Sequence, residues 1–372
     1  MTRHYLDHAS SSPPRPGVAD AMMEWLQRGA DPGRVHTEGR MVRAAVEDAR
    51  DAVAELLGTR PRTVVFTAGA TEAANAAVWG AAAARPGDPI VCAPVEHSCV
   101  RDPSARAGAV VSVPVDGYGR IDLDAVRAGV AAGPALVHCQ WANHEVGTVQ
   151  PVTEVVAICR AAGVLVHVDA AQAVGHVPVD LGTLDADLVS VSGHKFGGPP
   201  GIGALVVRRG LRLAPLLLGG EQERARRAGM ENVPAIAGFG AAAAAVRSSL
   251  AQEEHDARRR STAVLDAATA VPGVRAYGDP VGRVPHIVCF GVDGVEAEAV
   301  LLGLDQAGIA AHSGSACSSE SLEPSPVLEA MGVDADRSLR VSVGWSTTDE
   351  DVKAFGAAFD RVVSRLRALR AG

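Results

Sequence analysis

Residues 188–198 read Leu188-Val189-Ser190-Val191-Ser192-Gly193-His194-Lys195-Phe196-Gly197-Gly198, an apolar run that passes directly into a glycine-rich turn. The apolar run is typical of a buried strand. The turn carries one lysine, Lys195, next to His194. Most loop lysines are ordinary surface residues, but a lysine that a buried strand delivers into a tight turn is well placed to react with an aldehyde. The rest of the chain has to decide between these two interpretations.

The composition is that of a soluble globular protein with more than one domain. The chain has 372 residues, and single cores usually stop growing at about 250–300 residues. Hydrophobic residues make up 47% and aromatic residues only 3%, so Ala, Val and Leu must fill the core. The formal net charge of −8 offers no broad basic face, and we expect no direct nucleic-acid or membrane partner. Residues 1–15 are polar and proline-rich rather than signal-like, which favours a cytoplasmic protein.

The six cysteines lie far apart in the sequence and form no CxxC motif. Neither a disulfide framework nor a zinc site is predicted from such spacing, and we expect no metal. Four cysteines stand in or beside apolar runs and are predicted to be buried: Cys92, Cys139, Cys159 and Cys289. Cys99 and Cys317 do not fit this pattern, although Cys99 is predicted to be packed at the start of a helix.

Short β-branched runs alternate with longer alanine-rich stretches over the first two thirds of the chain. The apolar runs are continuous rather than alternating, which indicates an α/β fold whose mainly parallel sheet is covered by helices on both faces. Helices are predicted from Glu72 and over residues 154–162. The predicted strands are 63–66, 89–92, 110–113, 135–138, 164–168, 187–191 and 204–207. In such a sheet, ligands bind beyond the carboxyl ends of the strands.

The sequence pattern changes near Gln252. A long charged helix through Leu265 is followed by predicted strands at 286–292 and 340–343 and by a terminal helix from Asp349. We therefore interpret residues 16–251 as a large domain and residues 252–372 as a smaller α+β domain that carries the loop with Cys317. Residues 1–15 are interpreted as an arm that packs with the smaller domain.

Two strand ends in the large domain carry chemistry that suits a phosphorylated ligand. The first strand runs into Ala70 and Thr71, where free backbone N–H groups, the positive end of a helix and a hydroxyl would form a phosphate cup. The alternative for Thr71 is a helix N-cap. Asp169 follows another strand, with Gln172 three residues on. Asp169 is either a helix cap or a buried carboxylate that needs a cationic partner, such as a protonated pyridine nitrogen.

Together these groups supply each contact that pyridoxal 5'-phosphate needs, namely an amine for the aldehyde, an anion for the ring nitrogen, and donors for the phosphate and O3′. His97 adds an imidazole that can stack on the ring or move a proton. The residues concerned are Thr71, His97, Asp169, Gln172, Ser192, His194 and Lys195.

A series of short motifs extends over nearly the whole chain: Tyr5-Leu6-Asp7-His8, Gly69-Ala70-Thr71-Glu72, Glu96-His97, Asn143-His144-Glu145-Val146-Gly147, His167-Val168-Asp169-Ala170, Ser192-Gly193-His194-Lys195, Ser313-Gly314-Ser315-Ala316-Cys317 and Ser338-Leu339-Arg340-Val341-Ser342-Val343-Gly344. In this order they resemble the cysteine desulfurases of the NifS/IscS type. These enzymes form part of the class V branch of the fold-type I pyridoxal-phosphate transferases. The resemblance implies a seven-stranded sheet in the large domain and a homodimer with the active site near the subunit interface.

The resemblance also implies roles for individual residues. Lys195 would hold the cofactor aldehyde and then remove the Cα proton of L-cysteine, and Asp169 would keep the ring nitrogen protonated. Arg340 would bind the substrate carboxylate through its two-donor fork. The other implied contacts are Ala70, Thr71, Ser192 and His194 to the phosphate, Gln172 and His144 near O3′, His97 stacked on the ring, and Asn143 near the substrate.

Cys317 would decide which reaction takes place. Small polar residues surround it, which predicts an exposed loop. A thiolate on such a loop can attack the sulfur of the substrate and leave with it as a persulfide, while the remainder departs as L-alanine. The sulfur would then pass to an acceptor protein and on to iron–sulfur clusters, nucleic acids or metabolites.

Two residues depart from the pattern of the family. His144 stands where Asn is usual. We expect its imidazole to keep the contact near O3′ and, because it titrates near neutral pH, to make that contact depend on pH. Met230 stands where Thr commonly reaches the phosphate across the dimer. A thioether cannot donate a hydrogen bond, so weaker retention of the cofactor is expected.

Other functions remain open at this point. The same site could belong to a selenocysteine lyase, a C–S lyase or an aminotransferase, although an aminotransferase has no use for the loop thiol. The chain could also be a scaffold subunit of a sulfur-transfer complex that has lost its catalysis. The complete set of catalytic residues argues against a scaffold.

Overall fold

The computed structural model describes residues 2–313 and 324–371, and Cys317 lies outside the described residues. Within the described ranges the helices are α1 (Val18–Leu26), α2 (Thr37–Leu56), α3 (Ala70–Ala84), α4 (Ser98–Ala107), α5 (Leu123–Ala131), α6 (Val152–Ala162), α7 (Leu181–Leu184), α8 (Gln222–Ala225), α9 (Val233–Thr269), α10 (Ala297–Gln306), α11 (Pro326–Ala330) and α12 (Asp349–Ala371). The strands of the same ranges are β1 (His4–Tyr5), β2 (Val64–Thr67), β3 (Ile90–Cys92), β4 (Val110–Ser112), β5 (Leu136–Gln140), β6 (Val166–Asp169), β7 (Leu188–Ser192), β8 (Gly203–Val207), β9 (Val274–Tyr277), β10 (Ile287–Val292), β11 (Ile309–Ala310), β12 (His312–Ser313) and β13 (Ser338–Ser342).

A seven-stranded sheet forms the centre of the α/β part, in the order β2-β8-β7-β6-β5-β3-β4. Only β8 runs against its neighbours, and the other strands are parallel to one another. The fold class predicted from the sequence, a mainly parallel seven-stranded sheet flanked by helices, is confirmed. Every predicted strand of this sheet is present, with ends shifted by one or two residues.

The central strands read as continuous apolar runs because helices cover both of their faces. Every residue of β5, β6, β7 and β8 is buried. The four cysteines that stand in or beside apolar runs are buried as predicted. A strand with two buried faces cannot alternate apolar and polar residues, which is why the runs could be recognised in the sequence.

A second apolar cluster lies around the four-stranded sheet β12-β13-β10-β9. It includes Phe290, Phe355 and Phe359, and also Leu6 from the N-terminal arm. In the arm, β1 pairs with β11 in parallel. These contacts join the arm to the C-terminal third of the chain.

Helix α9 differs from the sequence-based expectation, which began a helix near Gln252. The helix instead begins at Val233. Its N-cap is Asn232, whose side chain accepts a hydrogen bond from the backbone N–H of Ala235. It therefore runs through the predicted boundary at residues 251 and 252, and the division into two domains stays a prediction. The missed signals were the Asn N-cap and the Pro that follows it in the first turn.

By length and composition alone, α9 is the one helix of the described residues that could cross a bilayer. Half of its most apolar window is buried within the protein. Helices at the centre of globular proteins have the same composition, and α9 packs against α1 and α2.

Candidate active site

Five parallel strands end at the same edge of the large sheet, and the loops that follow them form the candidate site. Their last residues are Thr67, Cys92, Gln140, Asp169 and Ser192. The loops enclose a cavity of about 730 Å³. Its position agrees with the general rule that ligands bind beyond the carboxyl ends of the strands.

Every residue that the sequence assigned to the cofactor lines this cavity. These residues are Ala70, Thr71, His97, His144, Asp169, Gln172, Ser192, His194 and Lys195. They come from five separate loops, so only the topology of the sheet brings them together.

Lys195 is held at the cavity by the N-terminal arm. It lies in a single 3₁₀ turn, Gly193–Phe196, that follows β7 and ends at Gly197 with a φ of 87°. Its Nζ donates to the carbonyl oxygens of Ala9 at 2.7 Å and Ser10 at 3.1 Å. These bonds orient the amine, and the interpretation of Lys195 as an ordinary surface lysine does not fit its place in the structure.

The predicted phosphate cup corresponds to the first turn of α3. Gly69 is the N-cap, and no side chain of the described residues caps the helix. Thr71 lies inside the first turn, so its N-cap interpretation is wrong. The first backbone N–H groups of a helix have no partner within the helix, and together with the helix dipole they favour an anion.

The turn of the phosphate cup packs tightly on the neighbouring strand β8. A Cβ atom at Gly203 would come within 2.7 Å of the Cα atom of Gly69, so only glycine fits at that position. Glu72 accepts from the backbone N–H of Ala68 at 2.8 Å, and Arg227 pairs with its carboxylate at 2.9 Å. Arg227 thereby compensates the one carboxylate in the first turn of α3.

Asp169 is oriented by two donors at the end of β6. Its Oδ1 accepts from the backbone N–H of Ala171 and from the hydroxyl of Ser190, both at 3.0 Å. Its exposed fraction is 7%. A buried carboxylate held in this way is suited to a cationic ligand group.

His97 is the N-cap of α4, and this contact determines where its ring proton lies. The Nδ1 atom accepts from the backbone N–H of Cys99 at 3.1 Å, so the proton of the neutral ring lies on Nε2. Burial, followed by the nearby His144, lowers the pKa of His97 to about 4. The imidazole is therefore neutral at pH 7 and can exchange a proton through Nε2.

His144 lines the cavity with its ring edge-on to that of His97, the two centroids being 5.0 Å apart. The expectation that it titrates near neutral pH is wrong. Burial, with a further contribution from the charge of Arg340, lowers the pKa of His144 to about 3. Buried imidazoles resist protonation because the charged form loses its hydration.

The structure does not bring the two predicted substrate contacts into the lining of the cavity. The side chain of Asn143 is fully buried and bonds to backbone groups of Val95, Glu145 and Val146. These bonds fix the turn that carries His144, so Asn143 has a structural position rather than the predicted one.

Arg340 lies next to the site behind Ser10. Its Nη2 pairs with Asp7 at 2.9 Å and donates to the Ser10 hydroxyl at 2.6 Å, and its Nη1 donates to the carbonyl of His144. Ser10 also accepts from Lys195 through its carbonyl. In the described residues Asp7 therefore supplies the carboxylate partner of Arg340, and substrate binding by Arg340 stays a prediction.

Sequence reasoning missed some residues of the site. Gln140 and Cys99 line the cavity. Gln140 is the last residue of β5, and a polar residue at the end of an apolar strand was the signal that could have identified it. His286 and His176, which lie behind the cavity, gave no such signal because neither stands at the end of a strand of the large sheet.

The donor set fits pyridoxal phosphate. The cavity combines an amine, a buried carboxylate, a neutral imidazole, an amide and an uncapped helix N-terminus. The sheet order and this set of groups agree with the class of protein that the resemblance implies, the fold-type I pyridoxal-phosphate enzymes.

Comparison with known proteins places the chain more narrowly. Residues 4–355 match the aminotransferase class-V family, and the chain belongs to that family. The cysteine desulfurase of Trichormus azollae is 39% identical over 99% of this chain and 95% of its own length. A solved structure titled NifS-like protein superposes with a TM-score of 0.91 at 28% identity, over 98% of this chain and 100% of that chain. A structure titled SspA in complex with cysteine gives a TM-score of 0.81 at 28% identity, over 93% of this chain and 100% of that chain.

Proposed function

We propose that this protein is a pyridoxal-phosphate-dependent cysteine desulfurase. It converts L-cysteine to L-alanine and transfers the sulfur as a persulfide. The observation that carries the proposal is the oriented Lys195 amine in a cavity that also contains Asp169, His97 and an open helix N-terminus. The names of the relatives support the choice of substrate.

Different residues of the cavity would bind different parts of the cofactor. Lys195 would hold its aldehyde, Asp169 its ring nitrogen, the first turn of α3 its phosphate and Gln172 its O3′. When bound, the cofactor supplies an electron sink for negative charge at the substrate Cα. Lys195 then takes the Cα proton, and His97 moves a proton through Nε2.

We assign the transfer of sulfur from the substrate to Cys317, and this assignment is based on the sequence alone. Its thiolate attacks the sulfur of L-cysteine, a sulfur–sulfur bond forms, and the carbon–sulfur bond breaks. The electron pair of the broken bond stays with the carbon fragment, which takes up a proton and leaves as L-alanine. The persulfide on Cys317 then passes its terminal sulfur to a thiolate of an acceptor protein.

The test is a paired measurement of L-alanine release and protein persulfide with L-cysteine as substrate. We expect Cys317→Ala to lose both products by about 10²-fold or more while the bound cofactor keeps its visible absorption. The matched control is Cys159→Ala, because Cys159 is buried in α6, away from the cavity. Persulfide formation that persists without Cys317 would refute its assigned role.

We further propose a cytoplasmic homodimer that delivers sulfur to an acceptor protein. The position of Met230 is relevant to the proposed dimer. Its side chain is 62% exposed and lines a cleft that shares Ala68 and Gly201 with the cofactor cavity. The resemblance to the family implies that the residue at this position reaches the phosphate of the partner subunit.

Replacement of Met230 by Thr should strengthen retention of the cofactor. A hydroxyl can donate to a phosphate, whereas a thioether cannot, so we expect cofactor loss on dialysis to slow by about tenfold. Met23→Thr is the control, since Met23 is also exposed but lies on α1 outside both clefts. Equal dissociation rates for Met230→Thr and the unmodified protein would contradict the prediction.

A further inference from the structure

Two buried histidines lie directly behind the cofactor cavity. The rings of His176 and His286 are stacked, with centroids 3.6 Å apart and an interplanar angle of 10°. His286 Nε2 lies 3.1 Å from Gln172 Oε1, and His176 Nε2 lies 3.1 Å from the carbonyl oxygen of Lys195. Each histidine therefore contacts a residue that lines the cavity.

The direction of the hydrogen bonds follows from one backbone carbonyl. The oxygen of Ala9 can only accept, and Gln172 Nε2 donates to it at 2.8 Å. The amide nitrogen of Gln172 therefore points to Ala9 and its oxygen to His286. It follows that the ring proton of His286 lies on Nε2, from which it donates to Gln172.

This orientation determines what Gln172 presents to the cavity. One of its two amide hydrogens is engaged by Ala9, and the second is the donor that remains for a ligand. If the amide were rotated by 180°, its oxygen would be presented instead. An acceptor beside the negatively charged O3′ is unfavourable, whereas an N–H donor stabilises the charge.

We propose that His286 is a positioning residue that, together with the carbonyl of Ala9, fixes the amide of Gln172 so that an N–H group, and not a carbonyl oxygen, faces O3′ of the cofactor. His176 holds the plane of the His286 ring by stacking and by donating to the Lys195 carbonyl. The inference rests on the proposed function, because it assumes that the cavity binds pyridoxal phosphate.

The histidines themselves do not titrate in the range where the cofactor does. Burial, together with the neighbouring imidazole, lowers the pKa of His286 far below its ordinary value, and burial lowers that of His176 to about 3. The charged or titratable groups that face the pair are His8, Arg15, Lys195, Glu253 and Arg340. Both rings are therefore neutral between pH 6 and pH 9, and a spectral midpoint in that range reports on the cofactor.

The test is a pH titration of the visible absorption of the bound cofactor in two variants of position 286. His286→Gln keeps an N–H group at the position of Nε2, whereas His286→Asn is one methylene too short to reach Gln172. In His286→Asn the amide of Gln172 keeps only its bond to Ala9, and its N–H is less firmly directed at O3′. The anionic form of O3′ is then less well stabilised, so we expect the midpoint to rise by up to about one pH unit. In His286→Gln it should stay close to that of the unmodified protein.

Several outcomes would overturn the inference. Equal midpoints in His286→Asn and His286→Gln would do so, and so would a shift of the same size in His138→Asn, which removes a buried histidine that does not contact Gln172. In a Gln172→Met background the difference between the two position-286 variants should vanish. A difference that persists there would show that His286 acts by another route.

A measurement on the unmodified holoprotein does not depend on the folding of any variant. Nitrogen NMR of histidine-labelled protein distinguishes the two neutral tautomers, and we expect the Nε2–H form for His286. The Nδ1–H form would refute the inference. Failure of the unmodified protein to bind pyridoxal phosphate at all would instead refute the proposed function, so the two failures can be told apart.

Discussion

A Lys195→Ala variant is expected to lose L-alanine production from L-cysteine by about 10³-fold or more, because one side chain both holds the cofactor and moves the Cα proton. The chain has only two lysines, Lys195 and Lys353. Reduction of the holoprotein with borohydride followed by peptide mapping should therefore place the cofactor on Lys195 alone. Lys353→Ala is the matched control, since Lys353 is exposed on α12.

The role of the amine can be separated from a loss of structure. A small primary amine added to Lys195→Ala should restore part of the activity, because it can occupy the space left by the side chain and take the proton. Turnover close to that of the unmodified protein in Lys195→Ala, without added amine, would refute the assignment. Cofactor attached to Lys353 after reduction would refute it as well.

The second large effect concerns stability in acid. Eight histidines have pKa values that are lowered chiefly by loss of hydration: His8, His97, His138, His144, His167, His176, His194 and His286. An unfolded chain takes up protons at these residues near the ordinary histidine pKa, about 6.5, whereas the folded protein does not until the pH is far lower. Stability is therefore greatest above the unfolded pKa and is lost as the pH falls below it.

Two buried carboxyl groups oppose this trend. Burial raises the pKa of Glu96 to about 8 and that of Glu145 to about 7. They stay protonated in the folded protein, so their contribution is present below the ordinary carboxyl pKa and is lost as the pH rises. Two carboxyl groups cannot offset eight imidazoles, and each unbalanced proton changes the free energy of unfolding by about 1.4 kcal/mol per pH unit. Since the free energy of unfolding of a native protein is only about 5–15 kcal/mol, we expect this protein to unfold as the pH falls to about 5.

The measurement is the free energy of unfolding in denaturant at several pH values between 5 and 7.5. His138→Asn removes one buried imidazole and should reduce the slope against pH by about 1.4 kcal/mol per unit between pH 5 and 6. His255→Asn is the control, because His255 is exposed on α9. A free energy of unfolding that does not change over this range would contradict the prediction.

The strands and the candidate cofactor residues could be predicted because they depend on local signals. A strand buried on both faces is an apolar run, and the residue after it lies at the carboxyl edge of the sheet. Lys195, Asp169 and Thr71 all follow such runs. The start of α9 was missed because an alanine-rich stretch carries little periodicity, and its Asn N-cap was overlooked.

The partners of these residues could not be predicted, and neither could their pKa values. Lys195 bonds to Ala9 across 186 positions, and Arg340 pairs with Asp7 across 333. The lowered pKa of His144 comes mainly from burial, which its neighbours in the sequence do not reveal.

The sequence by itself therefore determined the fold class, the lysine and the set of groups available to a cofactor. The tertiary structure alone decided that Asn143 supports a turn, that Arg340 is paired with Asp7, and that His286 orients Gln172. The physical reason is that backbone propensity and the pattern of burial depend on residues that are neighbours in the sequence. Hydrogen-bond direction and desolvation depend on atoms that only the folded chain brings together.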